Sequence, residues 1–564
     1  MSKNFKSLKA FLSILILLSG CCICLGDITQ SLGQAGVSYK TGDYRQAEQI
    51  CQDILRQHKR DDYAFEAQKS LSNLYILVEK NTEAQVAIDK LITDFSGNAG
   101  LPSVLYEITS IYCWTKKYQQ AENIYQRIIQ NRPGSEAADK AKLELAKLDI
   151  LALIDAQADS QAQIEIDNLI TDFSGHSCLA EGLYGLAQVY EWSGTKYQQA
   201  KGVYQRLIKN CPGSSFAAKA QIDIYKVEAL SAVDAGEVSK ARTEIDKLKA
   251  ADFSGRSYLP EALYAIATRC EWTAKNYVQA KELYQYIAQQ YPASWCADKA
   301  QLDVLKADIS VYIESGNDSA AQSTIKQLIA DFHGNSYLAE VLYHIATRYE
   351  QAGNYAGAKD AYELVALQNP DAWHAIRAEL GIHKAGILQL LAAGDNTGGF
   401  AALDRFIADY PGNSHLTWVI AEMAEYPYKE AFELEERGLT AQAKDSFQKA
   451  LTIWEKVVSK LPGDPYTVPY AYSCMGDCYS RLDEYEKSIQ CYQFVADNYP
   501  EHFLAWNGLY LVGRNYQDLG KSGAISQLQA DSQTASVYQQ LVSTYPNCPA
   551  ARIAGKWLSK HNTN

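Results

Sequence analysis

The sequence contains little proline and lacks the basic runs that nucleic-acid-binding proteins use. Only 14 of its 564 residues are proline, and this scarcity favours a mostly helical chain because proline interrupts helices. The formal net charge is −13, and no basic run occurs beyond the extreme N-terminus. A surface that follows a phosphate backbone is therefore not indicated, and we expect no nucleic acid as a partner.

Short catalytic motifs are absent as well. The chain has no Gly-x-Ser-x-Gly, no His-Glu-x-x-His and no Gly-x-x-x-x-Gly-Lys-Ser/Thr phosphate loop. None of the ten cysteines beyond Cys24 forms a Cys-x-x-Cys pair, so neither a zinc knuckle nor a thioredoxin-type site is indicated. We expect a protein without enzymatic activity, without a cofactor or metal and without a small-molecule substrate.

One group of cysteines leaves alternatives open. Cys474 and Cys478 are four residues apart, on one face of a predicted helix, and Cys491 lies in the next predicted helix. A metal site, a disulfide bond or an enzyme site built around Cys474 would need such proximity. Small buried thiols are the commoner use of cysteine, and we favour that interpretation.

The N-terminal segment at residues 1–26 differs from the rest of the chain. Three lysines precede a short apolar run at residues 10–18, which is well under the roughly 20 residues that span a bilayer as a helix. This pattern predicts an export signal over residues 1–26. The sequence Leu-Ser-Gly-Cys that ends at Cys21 resembles the lipobox of bacterial lipoproteins.

The lipobox resemblance implies that Cys21 is lipidated and becomes the mature N-terminus. Cys22 follows it instead of an aspartate, which in that family favours the outer membrane. We therefore expect an exported, periplasm-facing lipoprotein that a lipid anchor holds at the membrane. Ordinary cleavage after Gly26 would instead give a soluble exported protein. A retained membrane anchor is the least favoured alternative because the apolar stretch, continued through Leu25, contains three cysteines and has little length to spare.

The sequence repeats itself at a nearly constant interval along most of its length. The motif Asp-Phe-Ser-Gly and its variants place an aromatic residue at five almost evenly spaced positions, namely Phe95, Phe173, Phe253, Phe332 and Tyr410. A second series keeps the same spacing and begins at Tyr118, Tyr197, Tyr277 and Tyr355. Self-similarity at a fixed spacing, here a 79-residue period, predicts a repeat array in which neighbouring units build a common core.

The second series resembles the tetratricopeptide repeat, whose pattern is an alanine, an aromatic residue four positions later and a proline eight positions beyond it. The matching triplets are Ala121-Tyr125-Pro133, Ala200-Tyr204-Pro212, Ala280-Tyr284-Pro292 and Ala358-Tyr362-Pro370. The resemblance implies an all-α, right-handed superhelical solenoid of about thirteen helical hairpins. The Asp-Phe-Ser-Gly segments then end the second helix of the intervening hairpins, as worn versions of the Tyr-Pro that survives at Tyr410.

This pattern predicts four regions. The export signal at residues 1–26 precedes a repeat array at residues 30–412 with the 79-residue double repeat. Residues 413–468 form an irregular repeat of long helices with a linker, and residues 469–564 form C-terminal repeats with a capping helix.

In tetratricopeptide repeat proteins the first helix of each hairpin lines a concave groove, and the resemblance therefore implies a set of groove residues. We call this set the predicted groove residues, and all of its members are Tyr, Trp or Glu: Tyr106, Trp114, Glu181, Tyr184, Glu191, Trp192, Glu261, Tyr264, Glu271, Trp272, Glu340, Tyr343 and Glu350. Aromatic groups offer contact area, and carboxylates attract basic segments of a partner. Equally, the tyrosines could pack between helices and the glutamates could form a solvated acidic face.

The sequence thus predicts a non-enzymatic scaffold or adaptor of the bacterial envelope. It would bind proteins or peptides, including basic segments, along a concave surface during envelope assembly or organisation. The alternative is an envelope glycan-binding protein, since ladders of Tyr and Trp also stack on sugar rings.

Overall fold

The computed structural model describes most of the chain beyond the N-terminal segment. The described residues are 34–36, 44–77, 80–115, 117–131, 133–155, 157–251, 256–368, 373–410, 414–460, 467–500, 502, 504–546 and 548–561. The predicted export signal with Cys21, most of the predicted linker at residues 461–469 and the side chain of Trp114 lie outside the described part. The bounds of the four predicted regions stay predictions.

The described part of the chain is all-α, with no β-strand among its residues, as the repeat pattern predicts. Its helices are α1 (Tyr44–Gln57), α2 (Asp62–Leu77), α3 (Asn81–Asp94), α4 (Leu101–Trp114), α5 (Tyr118–Asn131), α6 (Glu136–Asp155), α7 (Asp159–Asp172), α8 (Leu179–Trp192), α9 (Tyr197–Asn210), α10 (Ser215–Asp234), α11 (Val238–Ala250), α12 (Leu259–Trp272), α13 (Tyr277–Gln290), α14 (Trp295–Glu314), α15 (Asp318–Asp331), α16 (Leu338–Gln351), α17 (Tyr355–Gln368), α18 (Trp373–Ala392), α19 (Asn396–Asp409), α20 (Ser414–Glu436), α21 (Thr440–Lys460), α22 (Thr467–Arg481), α23 (Tyr485–Asn498), α24 (Ala505–Lys521), α25 (Gln527–Thr544) and α26 (Pro549–His561). A 3₁₀ turn at Arg256–Tyr258 precedes α12.

Consecutive helices pair as antiparallel hairpins, and one 79-residue period contains two of them. In the period that begins at Leu179, α8 and α9 form the first hairpin and α10 and α11 form the second. The described residues contain twelve such hairpins, preceded by α1 and followed by α26. This arrangement confirms the predicted sequential packing of helical hairpins.

The residues that carry the repeat pattern are the ones that fill the core. The alanines and aromatic residues of the second helices are all at most 2% exposed: Ala121, Tyr125, Ala200, Tyr204, Ala280, Tyr284, Ala358 and Tyr362. Small alanines let helices approach closely, and the aromatic rings fill the space between neighbouring hairpins.

The Asp-Phe-Ser-Gly segments end helices. Phe95, Phe173, Phe332 and Tyr410 each occupy the position that directly follows a helix, at the ends of α3, α7, α15 and α19. The glycines of two copies, Gly175 and Gly334, have φ values of 83° and 79°, a conformation that glycine adopts without steric strain. In these four copies the motif ends a helix, as the sequence indicates, and Phe253 of the remaining copy lies outside the described residues.

The described helices form two compact units, and the boundary between them falls within α16, between Val341 and Leu342. The core of the first unit includes Leu183, Tyr190 and Ile266. The core of the second unit includes Phe447 and Trp454. Each unit thus buries its own aromatic and aliphatic side chains.

Candidate functional site

Three lysines are buried among the helices, which is unusual for this residue type. The side chains of Lys226, Lys306 and Lys384 are only 5%, 3% and 3% exposed. They lie at equivalent positions on α10, α14 and α18, the first helix of the second hairpin in successive periods. A buried ammonium group is tolerated only when it is paired and hydrogen-bonded, so each lysine requires partners.

Lys226 is held by carboxylates from two helices. Its Nζ lies 3.0 Å from Oε1 of Glu191 on α8 and 2.5 Å from Oδ1 of Asp223 on its own helix. The hydroxyl of Tyr204 donates a hydrogen bond of 2.9 Å to Glu191, and that of Tyr184 donates one of 2.7 Å to Asp223. We call these five residues the Lys226 cluster. It joins three consecutive helices, α8, α9 and α10.

The next period repeats this arrangement residue for residue. Lys306 Nζ lies 3.0 Å from Glu271 Oε2 and 2.6 Å from Asp303 Oδ1. The Tyr284 hydroxyl donates to Glu271 at 2.9 Å, and the Tyr264 hydroxyl donates to Asp303. We call these residues the Lys306 cluster. The cluster is thus a property of the period and not of one site.

In the second unit the corresponding lysine is Lys384, and its second carboxylate partner lies on a different helix from that of Asp223 and Asp303. Lys384 Nζ lies 2.7 Å from Glu350 Oε2 and 3.0 Å from Glu422 Oε2 on α20. Gly381 occupies the position of Asp223 and Asp303, so the local carboxylate is missing. Tyr426 donates a hydrogen bond of 3.1 Å to Glu350. One lysine with two carboxylates is therefore retained although the residues that supply them differ.

The electrostatics of these clusters favour a charged lysine. Burial alone would lower the pKa of Lys226, but the nearby carboxylates of Glu191 and Asp223 outweigh burial and raise that pKa above its ordinary value. The pKa of Lys306 is raised for the same reason by Asp303 and Glu271. The lysines of these two clusters are therefore charged at neutral pH, whereas burial raises the pKa of the Glu191 carboxyl above its ordinary value.

This geometry corrects the expected positions of several predicted groove residues. Tyr184, Tyr343, Glu271 and Glu350 are at most 8% exposed, and Glu191 and Tyr264 belong to the clusters. Their side chains contact neighbouring helices because the first helix of the following hairpin packs directly against them. For these residues the packing alternative describes the structure, and these six side chains form neither a solvated acidic stripe nor an open aromatic ladder.

The remaining glutamates of the predicted set also have partners within the chain. Lys140 Nζ lies 2.8 Å from Glu181, Lys299 Nζ lies 2.7 Å from Glu340, and the Trp295 indole N–H donates to Glu261 at 3.1 Å. Attraction of basic segments by these glutamates therefore has no support, because groups of this chain already engage them.

Two tryptophans and one tyrosine remain of the predicted set, apart from Trp114, whose side chain lies outside the described part. Trp192 at the end of α8 is 56% exposed, whereas Trp272 is half-buried. Tyr106 is half-buried, and its hydroxyl donates a hydrogen bond of 2.5 Å to the Ala137 carbonyl oxygen.

A cavity of about 360 Å³ lies in the first unit, between α4, α6 and α8, which are the first helices of three successive hairpins. Its lining includes Tyr106 and Ser110 of α4, Lys140, Glu144 and Lys147 of α6, and Glu181, Tyr184, Gly185 and Gln188 of α8. We call it the Lys147 cavity. Three predicted groove residues, Tyr106, Glu181 and Tyr184, meet there. It combines aromatic surface with two lysines and two glutamates, a lining suited to a polar segment of a protein.

Other features of the described residues give no sign of a reactive centre. The cysteines described, including Cys474, Cys478 and Cys491, carry free thiols, and burial raises the pKa of Cys491 to about 12. Within the described ranges, no group of His, Cys, Asp and Glu has a metal-binding arrangement. No helix of the described part is long and apolar enough to cross a membrane.

The buried lysines are the residues that sequence reasoning missed. A signal was present, since lysine recurs at positions 147, 226, 306 and 384 with the period of the array. Lysine is nevertheless expected at the surface, and only the packing of α10 against α8 and α9 shows otherwise.

Two stretches of the chain, residues 103–135 and 181–214, match the family model described as tetratricopeptide repeat. Similar solved structures include the P58(IPK) TPR domain, which is 14% identical, covers 68% of this chain and 99% of its own, and superposes with a TM-score of 0.19. The APC/C hetero-tetramer Cut9–Hcn1 is 13% identical, with coverage of 88% and 96% and a TM-score of 0.21. Superpositions this poor carry no structural argument. No curated protein matches the sequence.

The two matched stretches coincide with two hairpins of the structure, α4–α5 and α8–α9. Both hairpins border the Lys147 cavity. The chain therefore carries tetratricopeptide repeats, a kind of repeat that typically serves protein–protein interaction, on either side of its candidate site.

Proposed function

We propose that this protein is a non-enzymatic scaffold that binds segments of other proteins at the Lys147 cavity and the adjoining surface around Trp192. The cavity carries the proposal because it lies between two tetratricopeptide repeat hairpins and offers both aromatic and charged groups. The exposed indole of Trp192 adds a large apolar contact at the end of α8.

A photo-crosslinking experiment on the full-length protein tests this function. A benzophenone amino acid replaces Gln188, which lines the cavity, or Gln205, an exposed residue of α9 that does not line it. Irradiation of intact cells should give defined adducts from position 188, which mass spectrometry identifies, and few from position 205. Equal adducts from both positions, or none from position 188, would contradict the proposed site.

We place the scaffold in the bacterial envelope, exported and anchored at the outer membrane through a lipid on Cys21, with a role in envelope assembly or organisation. The lipobox-like sequence that ends at Cys21 supports this location. Labelled palmitate should be incorporated into the wild-type protein and not into Cys21→Ala. Label that persists in Cys21→Ala, or that never appears, contradicts the anchor and leaves protein binding at the cavity untouched.

The glycan-binding alternative receives no support from the tyrosines at the predicted groove positions 184 and 343. Stacking on a sugar requires an open ring face, whereas Tyr184 and Tyr343 are buried. The ring centroids of Tyr184 and Tyr204 are 5.6 Å apart, and those of Tyr343 and Tyr362 are 5.4 Å apart. A protein segment fits the polar lining of the cavity better than a ladder of sugar rings.

A further inference from the structure

The Lys147 cavity occupies the place where the first complete period should contain its own lysine cluster. Lys147 on α6 corresponds to Lys226 and Lys306, and Glu144 corresponds to Asp223 and Asp303. Lys147 Nζ lies 2.7 Å from Glu144 Oε1, as in the other copies. The first copy therefore retains the lysine and its local carboxylate.

The first copy lacks the carboxylate that α8 and α12 supply in the later copies. Cys113 of α4 occupies the position of Glu191 and Glu271. Its thiol lies beside Tyr125, the counterpart of the tyrosines that donate to those glutamates. Among the described residues, Glu144 is the only carboxylate that forms an ion pair with Lys147. One acceptor is thus missing from an otherwise repeated arrangement.

Two further small residues open this copy to solvent. Tyr258 covers the Lys226 cluster: its hydroxyl lies 3.2 Å from that of Tyr184, and its ring centre lies 6.0 Å from Lys226 Nζ. The corresponding residue of the first copy is Cys178. Gly185 also leaves space, because a Cβ at that position would lie 3.6 Å from Lys147 Nζ.

Exposure follows this difference in residue size. The side chains of Lys147 and Glu144 are 12% and 19% exposed, whereas those of Lys306 and Asp303 are 3% and 0% exposed. Lys147 is thus largely removed from water, yet its ammonium group can be reached from the cavity. A lysine in this state gains from a second carboxylate because a charge-assisted hydrogen bond replaces water that is already partly lost.

We propose that the Lys147 cavity binds the side-chain carboxylate of an Asp or Glu on a partner protein, which takes the place that Glu191 and Glu271 occupy in the complete clusters. This inference rests on the proposed scaffold function and names the chemistry of its partner. The balance of charge agrees, since each complete cluster combines one lysine with two carboxylates. Glu181 does not oppose the incoming group strongly, because Lys140 pairs with it.

Cys113→Glu tests the inference by restoring the missing carboxylate within the chain. Glutamate stands at this position in the later copies, so the variant should fold and should occupy Lys147 from within. Cys211→Glu is the matched control, because it adds the same side chain at a half-buried cysteine beyond the end of α9 that does not line the cavity. Circular dichroism and urea unfolding check that both variants are folded.

The probe is a phage-displayed library of 12-residue peptides, selected on the wild-type chain alone and then tested on both variants. Selected peptides should contain Asp or Glu, and replacement of that residue by Asn or Gln should weaken binding at least about tenfold in fluorescence polarisation. Binding to Cys211→Glu should equal binding to the wild type, and binding to Cys113→Glu should fall by a similar factor of about ten. Amidation of the peptide C-terminus should have no effect.

Three results would overturn the inference. Peptides that bind wild type and Cys113→Glu equally would show that the scaffold binds peptides without using a carboxylate site at Lys147. Loss of binding on C-terminal amidation alone would show that a terminal carboxylate is recognised instead of a side chain. Failure of the library to yield any peptide that binds the wild-type chain would count against the proposed scaffold function as well.

Discussion

Lys306 on α14 and Glu271 on α12 form an ion pair of 3.0 Å in which the two side chains are only 3% and 0% exposed. The pair connects the two hairpins of one period, and Asp303 and two tyrosine hydroxyls join it in one hydrogen-bonded cluster. A buried pair of this kind specifies how the hairpins pack, because any other register would leave a charge unpaired in the interior.

Removal of this lysine should destabilise the first unit. Lys306→Met leaves Glu271 and Asp303 buried without a cation, and we expect a loss of about 3–5 kcal/mol, visible as a lower urea midpoint by circular dichroism. Lys240→Met removes an exposed lysine that pairs with Glu237 and should leave the midpoint unchanged. Equal effects of the two substitutions would show that the buried cluster does not stabilise the unit.

The stability of the second unit should depend on the ionisation of Asp477. Burial raises the pKa of this carboxyl above its ordinary value of 3.8, although hydrogen bonds from Tyr492 and Tyr428 oppose the change. The folded state is therefore most stable, as far as this group is concerned, below pH 3.8, where the carboxyl is protonated in both the folded and the unfolded chain. This contribution to the free energy of unfolding is lost as the pH rises through the raised pKa. The urea midpoint of Asp477→Asn should therefore rise relative to that of the wild type as the pH increases from 4 to 8.

Glu486→Gln, a change on the exposed face of α23, is the control for this pH series. A midpoint difference between Asp477→Asn and the wild type that stays constant with pH, or that grows as the pH falls, would contradict the proposed ionisation.

The helix-terminating glycines should differ in their tolerance of alanine. Gly334 has a φ of 79°, whereas Gly97 in the first copy of the motif lies outside the left-handed region, and a Cβ at either position meets no atom within 4 Å. Gly334→Ala should destabilise by about 1 kcal/mol because the left-handed conformation strains an L-residue. Gly97→Ala should be neutral or slightly stabilising. Comparable urea midpoints for the two variants would contradict this reason.

The buried thiols should react slowly in the native protein. Burial raises the pKa of Cys51 from 9.0 to about 11 and that of Cys270 to about 12. At pH 8 the thiolate fraction of Cys51 is thus about 100-fold lower than that of an ordinary cysteine, and iodoacetamide labelling followed by mass spectrometry should show a corresponding delay. The half-buried Cys548 provides the internal reference. Cys51 labelling as fast as in urea would refute the expectation.

The helices could be located from the sequence because local chemistry determines where they end. Helices α5, α9 and α13 end at Asn131, Asn210 and Gln290, each two residues before the proline of its repeat. Proline disfavours helical geometry in the residue before it, so the C-terminal end of each of these helices is determined by the proline and the residue that precedes it. The period of the array then gave the order of the hairpins without any knowledge of long-range contacts.

The candidate site could be predicted only in part because it depends on contacts between hairpins. Tyr106 and Glu181, two of the predicted groove residues, line the Lys147 cavity, whereas Glu271, which the resemblance assigned to an open groove, is buried. Its burial results from α14, a 20-residue helix that packs against α12, and no local pattern in α12 reveals this. The importance of Cys113 appeared only when the copies were compared in three dimensions.

Because the Lys306 cluster draws its groups from both hairpins of a period, it limits how such a chain can be shortened or extended during evolution. Deletion of one hairpin would separate a lysine on α14 from its glutamate on α12, and would leave opposite charges stranded in the interior. Deletion or duplication of a whole period would keep each buried lysine of this type together with the glutamate of its own period. The exchangeable module of this protein is therefore the complete two-hairpin period, and not the single hairpin.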